Sequence, residues 1–246
     1  MLTNKQITTL RSLADQYETA DFIAADPSQF MHAVRGVENQ ETMAFVAASL
    51  SYGARLQFIP KIQYLLNASQ HDIYQWVLCR RYETSVPDVD TCFYRLYTFH
   101  DYHLFLNALS ELLQRYGSLG NFARQCGNDA LSVIDAFCAF FATHGASKVI
   151  PQDTSSACKR LCMFMRWLVR RNSPVDIGLW TFIDPATLII PLDTHVLSQA
   201  VQLGLLTKAT ATMKTAIRLT QSLREAFPND PTKADFALFG YGVKNM

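Results

Sequence analysis

The chain has 246 residues, enough to bury a large core in one domain or in two lobes; 49% are apolar and 17% charged. The formal net charge of +1 excludes a protein coated in basic residues but leaves room for a local cationic patch. No apolar run reaches the roughly 18 residues that a membrane span needs, and no signal-peptide pattern follows Met1, so a cytoplasmic globular protein is expected.

Hydrophobic periodicity predicts helices almost from end to end, with negligible strand signal. Asn4 to Tyr17 is the first. Asp26-Pro27 reads as an N-cap with proline at the first helical position, opening a helix to Arg35. Asn39 then caps ETMAFVAASLSYG, a buried helix stopped by Gly53, and Arg55 to Asn67 and Tyr74 to Arg81 follow. A loop at Pro87–Asp90 leads into CFYRLYTFHDYHLFLNALSELLQRYGSL. Its aromatic residues lack interleaved cations and are expected in a core rather than under stacked bases. His100 and His103 flank Asp101 with no third ligand in sight, and read as caps or surface groups.

Asp129 to Thr143 is a further amphipathic helix, and GASKVIPQDTSSA is a polar connector. Beyond it lie the two helices of the stretch Ser156–Leu206. The last elements are a helix from Ala209 to Phe227 and a second Asp-Pro start, Asp230-Pro231, before ADFALFGYGV. No Gly/Ser-rich linker or fixed-period repeat divides the chain. The expected fold is all-α: one unit spanning 1–246, built as two helical lobes with a cleft between them. The lobe boundary is placed near 145–155, and the second lobe, 150–205, carries the candidate site. The six cysteines (79, 92, 126, 138, 158 and 162) mostly fall inside apolar helical patterns and read as reduced core residues. Cys158 and Cys162 share a helix face but lack the cluster of a structural zinc site, so no metal is expected.

Function hangs on Ser156–Leu206. In its first helix Leu161, Phe164, Met165 and Leu168 build an apolar face, while Arg166 and Arg170 return to within roughly 20° of Lys159 on the other side. With Arg160 and Arg171 this makes five cations and no acid between Ala157 and Asn172. The second helix begins after an apolar run at Asp193, a favoured N-cap whose carboxylate the helix dipole keeps ionised.

The PLDTHV run, with its helix ending in QLGLL, resembles the VDTHV segment of the helix-hairpin-helix (HhH-GPD) DNA glycosylases of base-excision repair. The chain is also similar to an uncharacterised bacterial branch with KRL, MRWLVR, LDTHV and DFALFG in that order. The resemblance implies a glycosylase-like two-lobed helical fold with Asp193 as the catalytic carboxylate. Strand-cutting members carry an earlier lysine, which maps onto Lys159; its separation of thirty-four residues from Asp193 resembles the archaeal 8-oxoguanine glycosylase branch. The helix exit SLSYGAR is similar to the turn that faces the target base, which implies Tyr52 and Arg55 near the pocket, with Trp180 available beside the base; read from the residues alone, Tyr52 is a packed helix-end aromatic and Arg55 an exposed cation. Arg166 and Arg170 become a DNA-facing ridge headed by Lys159, Arg160 a further DNA contact, and His195 a phosphate contact or a packing residue. The connector replaces the family's Gly-x-Gly hairpin turn with PQDTSSA. No cysteine follows Cys162, so the four-cysteine iron–sulfur loop of many relatives is absent and no cofactor is expected.

In such an enzyme a fixed carboxylate stabilises positive charge developing at C1′ of a nucleotide drawn out of duplex DNA, and an amine nucleophile adds lyase activity. Two other classes fit the same residues. A non-catalytic nucleic-acid-binding module would bind DNA in a salt-sensitive way without covalent trapping, and a helical protein-interaction domain would show neither.

Overall fold

The computed structural model describes residues 1–207 and 210–244, and the architecture is all-α with one small hairpin. The chain divides into two units, residues 25–127 with 132–153, and residues 1–24 with 128–131 and 154 onward. No helix among the described residues is long and apolar enough to cross a membrane.

Helix α1 (Asn4–Tyr17) opens the chain behind a capping box between Thr3 and Gln6, and buries Leu10, Ala14 and Tyr17. The first unit then takes over. Its α2 (Gln29–His32) is far shorter than the expected helix to Arg35. The Asp26 carboxylate accepts the Ser28 N–H at 3.0 Å, closing a turn. Helix α3 (Val37–Leu50) starts two residues before the expected cap, after Gly36 in the left-handed region. Asn39 is used elsewhere. Its amide donates to the His71 carbonyl at 2.8 Å and accepts the Tyr74 N–H at 3.1 Å, tying α3 to α5.

Every residue of α3 from Glu41 to Leu50 is buried, as the run of small and apolar side chains requires. Around it pack α4 (Arg55–Ala68), α5 (Ile73–Leu78), α6 (Phe99–Tyr116), α7 (Leu119–Cys126) and α8 (Ala130–Thr143), the first two residues of which lie in the other unit. Phe45 of α3 meets the rings of Phe105, Phe137 and Phe141 at 5.3–5.8 Å between centroids, so the aromatic run is core. Before α6 the chain forms a hairpin, β1 (Cys92–Tyr94) with β2 (Tyr97–Thr98), where the sequence carries negligible strand signal. Arg95, at φ 51°, turns it, and the Thr98–Asp101 capping box starts α6 only afterwards. His100 pairs with Asp88 and His103 with the Val86 carbonyl, on separate partners.

The second unit holds α1, α9 (Lys159–Val169), α10 (Thr194–Gln202), α11 (Met213–Leu223) and α12 (Ala234–Lys244). The expected start of the α11 helix, Ala209, lies outside the described residues; the helix itself begins behind Thr212 as N-cap. α12 is the hub, packed against α1 and α10. Gly240 permits this: a Cβ there would sit 2.6 Å from Cγ of Tyr17. Of the cysteines only 138, 158 and 162 are buried, whereas Cys79 and Cys92 are exposed, because they sit at the end of α5 and in the short hairpin rather than inside long helices. The sequence reading of these two as core residues is therefore corrected.

Candidate active site

Lys159 is the first residue of α9. Cys158 precedes it with φ 45°, a left-handed conformation that lets the chain enter the helix abruptly. That turn is anchored from below: Ser156 bridges to Thr212 at the head of α11, and the Cys158 N–H donates to Ser156 Oγ at 3.4 Å. Asp193 is the N-cap of α10, as its sequence context requires. The apolar run before it is buried, and the Ile190 N–H donates to Thr220 Oγ1 of α11 at 3.0 Å.

These two anchored helix starts bring Lys159 Nζ to 3.3 Å from Asp193 Oδ2, with the carboxylate 12% and the amine side chain 33% exposed. The two carboxylate oxygens divide their work. Oδ1 accepts the Val196 N–H at 2.9 Å and holds the cap, while Oδ2 faces the amine. A residue thirty-four positions away thus supplies the cation that the aspartate meets.

Arg166 and Arg170 do not form a DNA-facing ridge. They are 3% and 2% exposed, and the expectation that they bind phosphate is corrected. α9 is buried on all sides from Leu161 to Val169, so its polar face needs partners inside the protein. Arg166 bonds Asp235 of α12 through Nη1 and lies 3.3 Å from Asp176 through Nε. Arg170 meets Asp176, Asp230 and Glu18, the latter two at 2.8 Å. Asp230, the second expected helix cap, makes no cap bond of its own and serves Arg170 instead. Phe236 lies under both guanidinium groups, at 4.5 and 5.2 Å from its ring centroid.

Burial opposes the Arg170 cation, but Asp176, Asp230 and Glu18 outweigh it and hold the guanidinium above its usual value. The Asp235 carboxyl is pushed up to about 6, first by burial. The Arg166 cation pulls against this, Asp193 adds to the rise, Lys159 draws it back and Asp176 adds again. Asp235 thus lies within electrostatic reach of both members of the Lys159–Asp193 pair. Sequence reasoning missed it, although it opens the DFALFG run; a single acid in the first turn of a helix looks like an ordinary dipole partner.

Arg160, the second residue of α9, is half-buried. His195 packs edge-on to Phe239 at 5.8 Å, and its Cβ lies where a side chain on Gly242 would touch it, so it serves the α10–α12 contact. Trp180 is 1% exposed and packs edge-on against Phe164, which corrects its assignment to a base pocket. In the other unit Tyr52 is pinned under the hairpin. Its hydroxyl donates to the Tyr94 carbonyl at 3.1 Å, its ring meets Tyr94 and Tyr97, and Arg55 pairs with Asp26 at 3.2 Å. Among the described residues no three His, Cys, Asp or Glu side chains gather as ligands for a metal ion.

The class defined here is an all-α protein with a lysine–carboxylate pair set at two helix starts. A family model described as "Protein of unknown function (DUF2400)" matches residues 26–244, and the chain belongs to that family. No curated protein and no solved structure matches the chain.

Proposed function

We propose that the protein is a DNA base-excision glycosylase with AP-lyase activity, acting on duplex DNA that carries a damaged base, with Lys159 as nucleophile and Asp193 as the catalytic carboxylate. The observation that carries this reading is the meeting of Lys159 Nζ and Asp193 Oδ2 at 3.3 Å, since these are the two residues that the glycosylase resemblance singles out.

Lys159 gives up its ammonium proton to the facing carboxylate and attacks C1′ as the free amine. The N-glycosidic bond breaks as the new C–N bond forms, and its electron pair leaves with the base, which takes up a proton from solvent. Once Asp193 has passed that proton to solvent, its restored carboxylate stabilises the positive charge at C1′, in a partly buried site where electrostatics are stronger than in water. Ring opening gives an iminium on Nζ. Loss of the C2′ proton then expels the 3′-phosphate by β-elimination, and water releases the lysine. The expected architecture of two lobes around a cleft, with the substrate base flipped out of the stack, belongs to this reading. The phosphate contacts it needs come from cations other than Arg166 and Arg170, which are committed to internal carboxylates.

Borohydride trapping on duplexes carrying an abasic site or 8-oxoguanine tests the proposal. A covalent complex with the wild type and none with Lys159→Gln is expected. Trapping that survives in the variant, or base release unaffected by Asp193→Ala, would overturn it.

A further inference from the structure

Asp235 is the second residue of α12 and only 6% exposed. Arg166, which bonds it, lies seven residues after Lys159, two turns along the same face of α9. α12 also packs along α10, the helix that Asp193 caps, through Phe239 on His195 and Gly242 on Gln199. The carboxylate is therefore bracketed by the helix that bears the amine and the helix that bears its partner. The charged groups acting on it are Arg166 and Lys159 from α9, Asp193 from α10 and Asp176 from the segment after α9. On the side of α1, Glu18 is taken up by Arg170 at 2.8 Å and approached by Lys233 at 3.9 Å.

We propose that Asp235 is a positioning residue of the Lys159–Asp193 site: held by Arg166, it fixes a second negative charge beside the pair and stabilises the cation formed there during reaction. The inference rests on the proposed lyase reading for its catalytic consequence, but the shared site itself does not. One negative charge at Asp193 already balances the Lys159 ammonium. The oxocarbenium and iminium forms need an anion that is not engaged in capping or in receiving the lysine proton, and Asp235 supplies it. Its carboxyl, raised to about 6, is ionised at neutral pH and loses its charge as the medium is acidified through that value.

The first arm of the test is independent of activity. The carboxyl carbon of Asp235, labelled with carbon-13 and assigned by its loss in Asp235→Asn, is titrated by NMR in wild type, Asp193→Asn and Lys159→Gln. The midpoint falls in Asp193→Asn, which removes a negative neighbour, and rises in Lys159→Gln, which removes a positive one, each by about half a unit or more. A midpoint that stays put in both variants overturns the proposal, whatever the fate of the lyase reading. The second arm is the pH profile of borohydride trapping. Wild type shows an inflection near 6, with the rate about tenfold lower on the acid side. Asp235→Asn lies on the low branch without the inflection, and Asp235→Glu restores it. A uniformly lowered profile that keeps its inflection, or equal rates in Asp235→Asn and wild type, overturns the catalytic role. Absence of trapping on any duplex overturns the lyase reading and with it the catalytic role of Asp235, while the NMR arm still decides whether the three groups share one site.

Discussion

Asp193 does two things with one carboxylate, and substitution can separate them. Asp193→Asn keeps a side-chain oxygen for the Val196 N–H but removes the charge that faces Lys159. Base release is expected to fall by at least ~100-fold, with little change in stability. Asp193→Ala loses the cap as well, and urea unfolding should show a further loss of about 1 kcal/mol. Asp235 carries a pH prediction of opposite sign to that of most acids. Its folded-state pKa, about 6, lies above the ordinary 3.8, so the folded protein binds its proton more tightly than the unfolded chain does. Its contribution to stability is present at low pH and is lost as pH rises from about 4 through 6, on the order of 2–3 kcal/mol. In paired unfolding experiments the stability of wild type relative to Asp235→Asn should therefore decline over that interval. A constant difference would refute the elevated value.

At the level of single elements, α9 shows how a charged sequence can be a core sequence. Two arginines on a helix with no acids of its own read as a solvent-facing stripe, yet Glu18, Asp176, Asp230 and Asp235 come to them from α1, from the loop after α9 and from the head of α12. Breaking such a buried set from one side is costly. Arg170→Ala leaves three carboxylates without their common cation and is expected to lower stability by about 3–5 kcal/mol in chemical denaturation. Arg170→Lys should recover only a fraction, because one ammonium cannot reach three partners in the geometry of a planar guanidinium. Likewise Gly240→Ala would drive a methyl group to within 2.6 Å of the Tyr17 side chain and loosen α1 from α12. A loss of about 1–3 kcal/mol should appear as an earlier urea midpoint.

For the whole molecule the family match and the packing units part company. The match starts at residue 26, but residues 1–24 belong with 154 onward, where α1 lies on α12 and Gln6 donates to the Leu203 carbonyl at 2.7 Å. A chain begun at residue 26 would uncover that side of α12 and leave Arg170 without Glu18. It is expected to lose the cooperative unfolding of the second unit, as measured by calorimetry. The proposed DNA binding also belongs to this scale. On that reading Arg160→Gln should lower the dependence of log affinity on log salt by about one, whereas Arg166 and Arg170 are committed to internal carboxylates.

What the residues themselves determined was local. The 3.6-residue period and the caps gave the long helices, α1 and α4 nearly to the residue, because hydrogen bonds within four residues and a single apolar face decide them. Asp193 as an N-cap and Lys159 at a helix start were legible for the same reason. The short α2, the hairpin at Cys92–Thr98 and the displaced start of α3 were not, since Asp26 also pairs with Arg55, Arg95 donates to Gln57 and Asn39 donates to the His71 carbonyl, contacts that no local window of sequence contains. Only the tertiary structure decided that Lys159 and Asp193 meet, that Arg166 and Arg170 face inward, and that Asp235 is held by Arg166. The pattern of a helix states which face is charged, but whether that face meets water or carboxylates depends on segments far along the chain.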